Sequence, residues 1–162
     1  MSNAWKAYQE QHQDRFLNEM MDLLRIPSIS AKSEHQSDMI RCADAVKQSL
    51  LAAGCTRAEV LPTAGYPVVY GERIIDASKP TVLVYGHYDV QPVEPLELWK
   101  TPPFESTLKG TKLFGRGTAD DKGQLFIHLA VIEAFMKARK GCPVNVKVLF
   151  EGEEEIGSPN LL

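Results

Sequence analysis

Long hydrophobic runs are missing from this chain of 162 residues. None of its apolar stretches approaches the ~18 residues that a membrane-spanning helix requires. The first 16 residues are polar and charged, so they also lack the apolar core of a secretory signal peptide. The sequence therefore predicts a protein that has no membrane partner.

The sequence also has no excess of basic residues over acidic ones. The 18 lysine and arginine residues face 21 aspartate and glutamate residues, which gives a formal net charge of −3 at pH 7. Such a balance offers no basic surface for a nucleic-acid partner. With 44% hydrophobic and 24% charged residues, the composition is ordinary for a globular domain that buries one core.

Cysteine is scarce and widely spaced. Cys42, Cys55 and Cys142 are odd in number, and their spacings match neither a disulfide framework nor a zinc knuckle. We interpret them as idle thiols in a reducing compartment and expect a cytoplasmic location.

Hydrophobic periodicity predicts alternating helices and strands. Apolar residues recur at helical spacing in three segments, 4–25, 37–53 and 124–139. Four shorter apolar segments predict strands, 57–61, 68–75, 80–86 and 144–150. This alternation favours an α/β layer structure whose ligands bind at the carboxyl ends of strands.

Local signals refine two of these elements. Ser37 is a candidate cap for the second helix, and Gly54 is its expected terminator. The apolar run from Val82 to Tyr85 predicts a strand that is buried on both faces of the sheet.

Three polar clusters stand at strand or helix ends. GHYDVQP (86–92) and EGEEEIGS (151–158) each follow a strand, and GRGTADDKG (115–123) precedes a helix. Taken singly, a histidine can simply satisfy hydrogen bonds, two aspartates can cap a helix, and a glutamate run can be a solvated turn. Three clusters at such junctions, each with a flanking glycine, instead favour one shared site at the edge of the sheet.

The residue types in these clusters suit metal chemistry. His87 offers a nitrogen ligand, and Asp89 can hold its ring in one tautomer. Crowded carboxylates raise one another's pKa values unless cations neutralise them. A nitrogen and carboxylate set favours zinc, with manganese or cobalt as substitutes. A bridging carboxylate can hold two metals roughly 3.5–4 Å apart, and a glutamate can deprotonate the water between them.

The three clusters together resemble the signature motifs of the M20 metallopeptidase family. The resemblance runs from about residue 5 to the end, and residues 87–105 are most similar to the dipeptidase and carnosinase-like branch. It implies a three-layer α/β/α zinc-peptidase-like catalytic domain with a central mixed sheet. Residues 1–162 are expected to form its amino-terminal portion, without the lid and dimerisation domain and without the carboxyl-terminal part of the catalytic domain. The whole protein is then expected to be a homodimer.

The resemblance also implies residue roles. His87 and Glu155 would each bind one of two zinc ions, and Asp120 would bridge them through a carboxylate that precedes a cis peptide bond. Asp89 would orient His87, and Glu154 would be the general base. This alignment rests on the following Ile-Gly-Ser, and a slip of one residue, to Glu153 and Glu154, is the alternative.

The expected reaction is hydrolysis of the amide bond of a dipeptide or short peptide by a metal-bridging water that a glutamate activates. An N-acyl amino acid deacylase, such as an acetylornithine deacetylase or succinyl-diaminopimelate desuccinylase, is the alternative enzyme. A nucleotide-binding module is disfavoured, because GRGTADDKG lacks the spacing of a P-loop and its aspartates repel phosphate. An inactive protein that keeps only the fold is a further alternative.

The resemblance leaves part of the ligand set unaccounted for. The family uses a later acidic ligand and a distant histidine, and no motif assigns His12, His35 or His128 to those roles. With two protein ligands for each metal, the chain alone is expected to hold metal poorly and to be inactive.

Overall fold

A computed structural model describes residues 4–139 and 141–161 of the chain. Its helices are α1 (Ala4–Gln11), α2 (Gln13–Leu24), α3 (Gln36–Ala53) and α4 (Lys122–Arg139). Its strands are β1 (Arg57–Leu61), β2 (Val68–Arg73), β3 (Thr81–His87), β4 (Thr107–Lys109), β5 (Lys112–Phe114) and β6 (Asn145–Glu151). The predicted alternation of helices and strands is therefore confirmed.

The central sheet is mixed. Four strands lie in the order β1-β2-β6-β3, and β6 runs parallel to β3 but antiparallel to β2. The short strands β4 and β5 form a separate antiparallel pair within the long connection between β3 and α4. The α/β class and the mixed sheet are both as predicted.

Two helix predictions need correction. The segment predicted as one helix over 4–25 is two helices that are separated at His12. Ser37 does not cap α3, because the chain enters that helix from a 3₁₀ turn over Ser33–His35 and His35 occupies the cap position, although its side chain makes no capping hydrogen bond to the helix backbone. Gly54 does end α3, and its φ of 108° is the left-handed conformation that glycine adopts most readily.

The core lies between the sheet and the helices. α3 packs on β1 and β2, α4 packs on β3, and the two helices also contact each other, so they share one face of the sheet. The core side chains from α3, α4 and the central strands include Val46, Leu50, Leu125, Val69, Val148 and Phe150, all of which are fully buried.

The prediction that β3 is buried on both faces is wrong. Val82, Leu83 and Tyr85 are 47%, 62% and 48% exposed. β3 is an edge strand whose pairing partner in the described residues is β6. Leu83 and Tyr85 pair with Lys147 and Leu149, which makes them members of the face opposite the buried Val146 and Val148.

The parallel pairing of β3 and β6 places the polar clusters side by side. His87 at the end of β3 is in register with Glu151 at the end of β6. The segments that follow these strands therefore leave the same edge of the sheet, namely the edge that the carboxyl ends of β3 and β6 form. The loop before α4 reaches that edge as well. No helix in the described part of the chain is long and apolar enough to cross a membrane.

Candidate metal centre

His87 is held from one side and faces carboxylates on the other. The ring is buried, and its Nδ1 lies 3.1 Å from Oδ1 of Asp89. Its Nε2 lies 3.1 Å from Oδ1 of Asp120 and 3.8 Å from Oε2 of Glu154. Burial lowers the pKa of His87, but the hydrogen bond and charge of Asp89, together with the charges of Asp121 and Glu154, raise it to about 9. Asp89 thus holds the ring at Nδ1, and Nε2 faces the carboxylates of Asp120 and Glu154.

Asp89 connects three separate segments of the chain. Its carboxylate is fully buried. Besides the His87 contact through Oδ1, its Oδ2 accepts hydrogen bonds from Oγ of Ser30 at 2.6 Å and from the backbone N–H of Glu155 at 3.0 Å. Asp89 therefore contacts the histidine that it was predicted to orient, and it also fixes the backbone of the third cluster.

The two aspartates that precede α4, Asp120 and Asp121, make different contacts. The peptide bond between them is cis, as the resemblance implied. The Asp120 side chain is 73% exposed at the sheet edge, whereas Oδ2 of Asp121 accepts a hydrogen bond from the backbone N–H of His87 at 3.1 Å. A Cβ on Gly86 would lie only 2.7 Å from that Asp121 oxygen, so the close approach favours glycine there. The two aspartates thus flank His87 from different sides.

The glutamate that ends β6 and the glutamates that follow it bind different partners. Glu151 is buried and accepts hydrogen bonds from the Tyr85 hydroxyl at 2.5 Å and from Oγ of Ser158 at 2.9 Å. Glu153 is also buried, and its carboxylate accepts a hydrogen bond from Nδ2 of Asn160 at 2.9 Å. Glu153 is therefore engaged away from His87, which favours the alignment on Ile-Gly-Ser over the slip of one residue.

The carboxylates of Glu154 and Glu155 both lie near the His87 ring. Partial burial raises the pKa of Glu154, the nearby His87 lowers it, and the charges of Glu155 and Asp120 add to the rise. The Glu155 carboxylate accepts a hydrogen bond from Nε2 of Gln91 at 2.7 Å. One oxygen of Glu155 is thus anchored, and its direction is restricted.

Three donor side chains converge at this edge of the sheet. His87, Asp120 and Glu155 each offer a ligand atom, and these atoms all lie within 4.8 Å of one another. One imidazole nitrogen and two carboxylate oxygens form a set that suits a divalent metal such as zinc. The structure brings these predicted residues together, and their roles as ligands stay predictions.

The other histidines lie outside this group. The ring of His12 stacks on Tyr8, and Nδ1 of His35 pairs with Oδ2 of Asp38 at 2.8 Å. His128 is exposed on α4. In the described part of the chain, the donor group of His87, Asp120 and Glu155 includes none of these three histidines.

Sequence reasoning missed three residues that support the site. Ser30 contacts Asp89, Gln91 contacts Glu155, and Lys122 is fully buried at the start of α4. The ammonium of Lys122 donates hydrogen bonds to the carbonyl oxygens of Leu23 and Ile26, at 3.1 and 2.6 Å, and so ties α4 to the end of α2. Gln91 and Lys122 lie within the quoted motifs, whereas no sequence signal singles out Ser30.

Comparisons with known proteins point to one family. Residues 83–162 match the family described as Peptidase family M20/M25/M40. A Cys-Gly metallodipeptidase of Schizosaccharomyces pombe is 35% identical over 165 residues, which cover 94% of this chain and 34% of that protein. A Beta-Ala-His dipeptidase of Homo sapiens is 32% identical over 163 residues, which cover 93% of this chain and 32% of that protein.

A solved structure agrees with these relatives. The di-peptidase Dug1p from Saccharomyces cerevisiae superposes with a TM-score of 0.88 at 30% sequence identity, over 96% of this chain and 35% of that one. The chain thus spans about a third of the length of the relatives that it matches.

Proposed function

The chain belongs to the peptidase family M20/M25/M40, and from that premise we propose that it supplies part of the active site of a metal-dependent dipeptidase. The observation that carries the proposal is the convergence of His87, Asp120 and Glu155 within 4.8 Å. The family match supplies the class of enzyme, and the donor group supplies a place for its metal.

We propose zinc as the metal and two ions as the full complement. Asp120 would bridge them, while His87 and Glu155 would each bind one. The mixture of one imidazole and two carboxylates in this group supports zinc over the oxygen-only preference of magnesium. When bound, the metal polarises the scissile carbonyl and lowers the pKa of water toward 7.

Glu154 is the proposed general base. Its Oε2 lies 3.8 Å from Nε2 of His87, so its carboxylate borders the donor group without belonging to it. General bases act best when their pKa lies near the working pH, and the surroundings of Glu154 raise its pKa. Glu154 would take a proton from the attacking water and deliver it to the leaving amine.

The names of the relatives support a dipeptide substrate. One is named for Cys-Gly and the other for Beta-Ala-His. No observation favours an N-acyl amino acid or a nucleotide, and the aspartates of the 115–123 loop flank His87 rather than leaving a cradle for phosphate. We therefore propose the amide bond of a short peptide as the target.

The location and assembly of the whole protein are also proposals. Cys42, Cys55 and Cys142 are free and buried, which supports a reducing compartment such as the cytoplasm. A homodimer, which the resemblance implies, stays a prediction.

The direct test is an assay of the native protein with Cys-Gly, β-Ala-His and N-acetylornithine as alternative substrates. We expect hydrolysis of at least one dipeptide, loss of that activity after treatment with a chelator, and recovery after zinc is added back. Hydrolysis of N-acetylornithine alone would make the protein a deacylase. Activity that survives complete metal removal would exclude a metal-dependent mechanism.

A further inference from the structure

We infer that Ser30 is a positioning residue, whose hydroxyl orients Asp89 so that this one carboxylate fixes both the His87 ring and the Glu155 backbone. The inference rests on the proposed function in one respect, which is that His87 and Glu155 are metal ligands. Ser30 lies between α2 and α3, far along the chain from every motif that carries the family resemblance.

The segment that carries Ser30 runs alongside the segment that carries Asp89. Ile29 and Val90 form an isolated parallel bridge. The backbone N–H of Val90 donates to the carbonyl oxygen of Ser28 at 2.9 Å, and Oγ of Ser28 donates to the carbonyl oxygen of Tyr88 at 2.7 Å. The two backbone contacts, the Ile29–Val90 bridge and the Val90 N–H bond to Ser28, set the register between the segments, and that register places the Ser30 hydroxyl opposite Asp89.

The two oxygens of Asp89 serve different elements. Oδ1 contacts Nδ1 of His87 at 3.1 Å, whereas Oδ2 accepts from Ser30 at 2.6 Å and from the N–H of Glu155 at 3.0 Å. The last torsion of an aspartate is broad and weakly restricted by its own bonds. The short hydrogen bond from Ser30 therefore selects the carboxylate orientation that satisfies both other partners.

Burial makes this selection effective. Asp89 is fully buried and Ser30 is also buried, so water has little access to replace a lost donor. Without the Ser30 hydroxyl, Oδ2 keeps a single donor, so two contacts instead of three restrain the carboxylate and it rotates more easily. Rotation loosens the hydrogen bond to Glu155 and the one to His87 together, because the two oxygens belong to one rigid group.

The chain offers a matched control. Ser28 is buried in the same segment and its hydroxyl also donates to the strand beside it, but its acceptor is a backbone carbonyl rather than Asp89. Ser30→Ala and Ser28→Ala therefore remove the same atom from the same segment. Ser30→Thr keeps the hydroxyl and serves as the rescue.

Two measurements on the native protein test the inference. The first is residue-resolved hydrogen exchange of the metal-free protein, with the Val148 amide in the centre of β6 as the internal reference. Ser30→Ala should speed exchange of the Glu155 amide relative to Val148, and Ser28→Ala should leave that ratio within about twofold of wild type. The second is zinc affinity by competition with a chelating dye. Ser30→Ala should weaken it about tenfold, the low end of the range for partners that orient metal ligands.

Ser30→Thr should restore both values to near those of the wild type. If Ser30→Ala does not fold, Ser30→Cys replaces it, since a thiol is a weak donor of similar size and should give intermediate values.

The outcomes separate the two proposals. Equal effects of Ser30→Ala and Ser28→Ala on both measurements would reduce Ser30 to a structural residue and overturn the inference. A wild-type protein that binds no zinc would overturn the proposed function, while the exchange of the Glu155 amide would still decide the role of Ser30.

Discussion

Replacing Asp89 with asparagine should weaken metal binding, although the side chain keeps its size. The new amide would have one acceptor oxygen and one NH₂ donor where the wild-type carboxylate has two acceptors. If the amide oxygen faces Ser30 and the N–H of Glu155, the NH₂ group faces Nδ1 of His87. The histidine then either accepts at Nδ1 and carries its proton on Nε2, the nitrogen that faces Asp120, or keeps its Nδ1 proton on the backbone carbonyl of residue 89 with the NH₂ group beside it.

The reversed amide is no better. It would restore the oxygen to His87 but would direct the NH₂ group at the Glu155 N–H, and that backbone donor cannot become an acceptor. Either orientation therefore sacrifices a contact that the carboxylate of Asp89 makes. Loss of a partner that orients a metal ligand typically lowers metal affinity 10–100-fold, which corresponds to roughly 1.4–2.8 kcal/mol.

The assay is zinc competition with a chelating dye at fixed pH, and Asp38→Asn is the control. Asp38 likewise pairs with Nδ1 of a histidine, His35, at 2.8 Å, but it lies outside the donor group. We expect Asp89→Asn to weaken zinc binding about 10–100-fold and Asp38→Asn to change it by less than about twofold. An Asp89→Asn protein that binds zinc as tightly as the wild type would refute the idea that Asp89 sets the His87 tautomer.

Three further predictions concern the other supports of the site. Glu154→Gln should abolish turnover and leave most of the metal bound, whereas Glu155→Gln should lose metal. Metal analysis of the two variants reads this difference. The opposite pattern would move the roles of general base and ligand by one residue along the glutamate run. Gln91→Met removes the side-chain donor that binds the Glu155 carboxylate and should weaken zinc binding about three- to tenfold. Unchanged zinc affinity would show that this hydrogen bond does not support metal binding. A Cβ on Gly123 would lie 2.0 Å from the carbonyl oxygen of Thr118. Gly123→Ala should therefore lower the free energy of unfolding, measured by urea denaturation, by about 1–3 kcal/mol. An unchanged free energy of unfolding would contradict this close approach.

The sequence alone predicted the four strands of the central sheet and the clusters that form the candidate site, but it missed the short strands β4 and β5. Short apolar runs marked the strands, and β1 was predicted with its observed bounds, Arg57–Leu61. His87 stood out because it lies in a glycine-flanked cluster directly after a strand, whereas the family resemblance selected Asp120 and Glu155 among the acidic residues of the other two clusters. The parallel pairing of β3 and β6 then brings two of these clusters to one edge, as the α/β pattern suggested.

Burial and support contacts could not be predicted in the same way. The exposure of Val82 to Tyr85 depends on which strands flank β3, and an apolar run looks the same in a central strand and in an edge strand. Ser30 lies in a polar loop without periodicity, so its link to Asp89 depends on the register between two distant segments. The Ser37 cap failed because a preceding 3₁₀ turn had already directed the chain into α3.

The most direct test of the account is an anomalous-scattering difference map from crystals of the whole native protein grown with zinc. We predict a zinc peak about 2.0–2.2 Å from Nε2 of His87 or from a carboxylate oxygen of Glu155, with Asp120 within bonding distance of the same ion. A zinc-loaded crystal whose peaks lie away from all three side chains would contradict the proposal that this edge of the sheet is the metal centre.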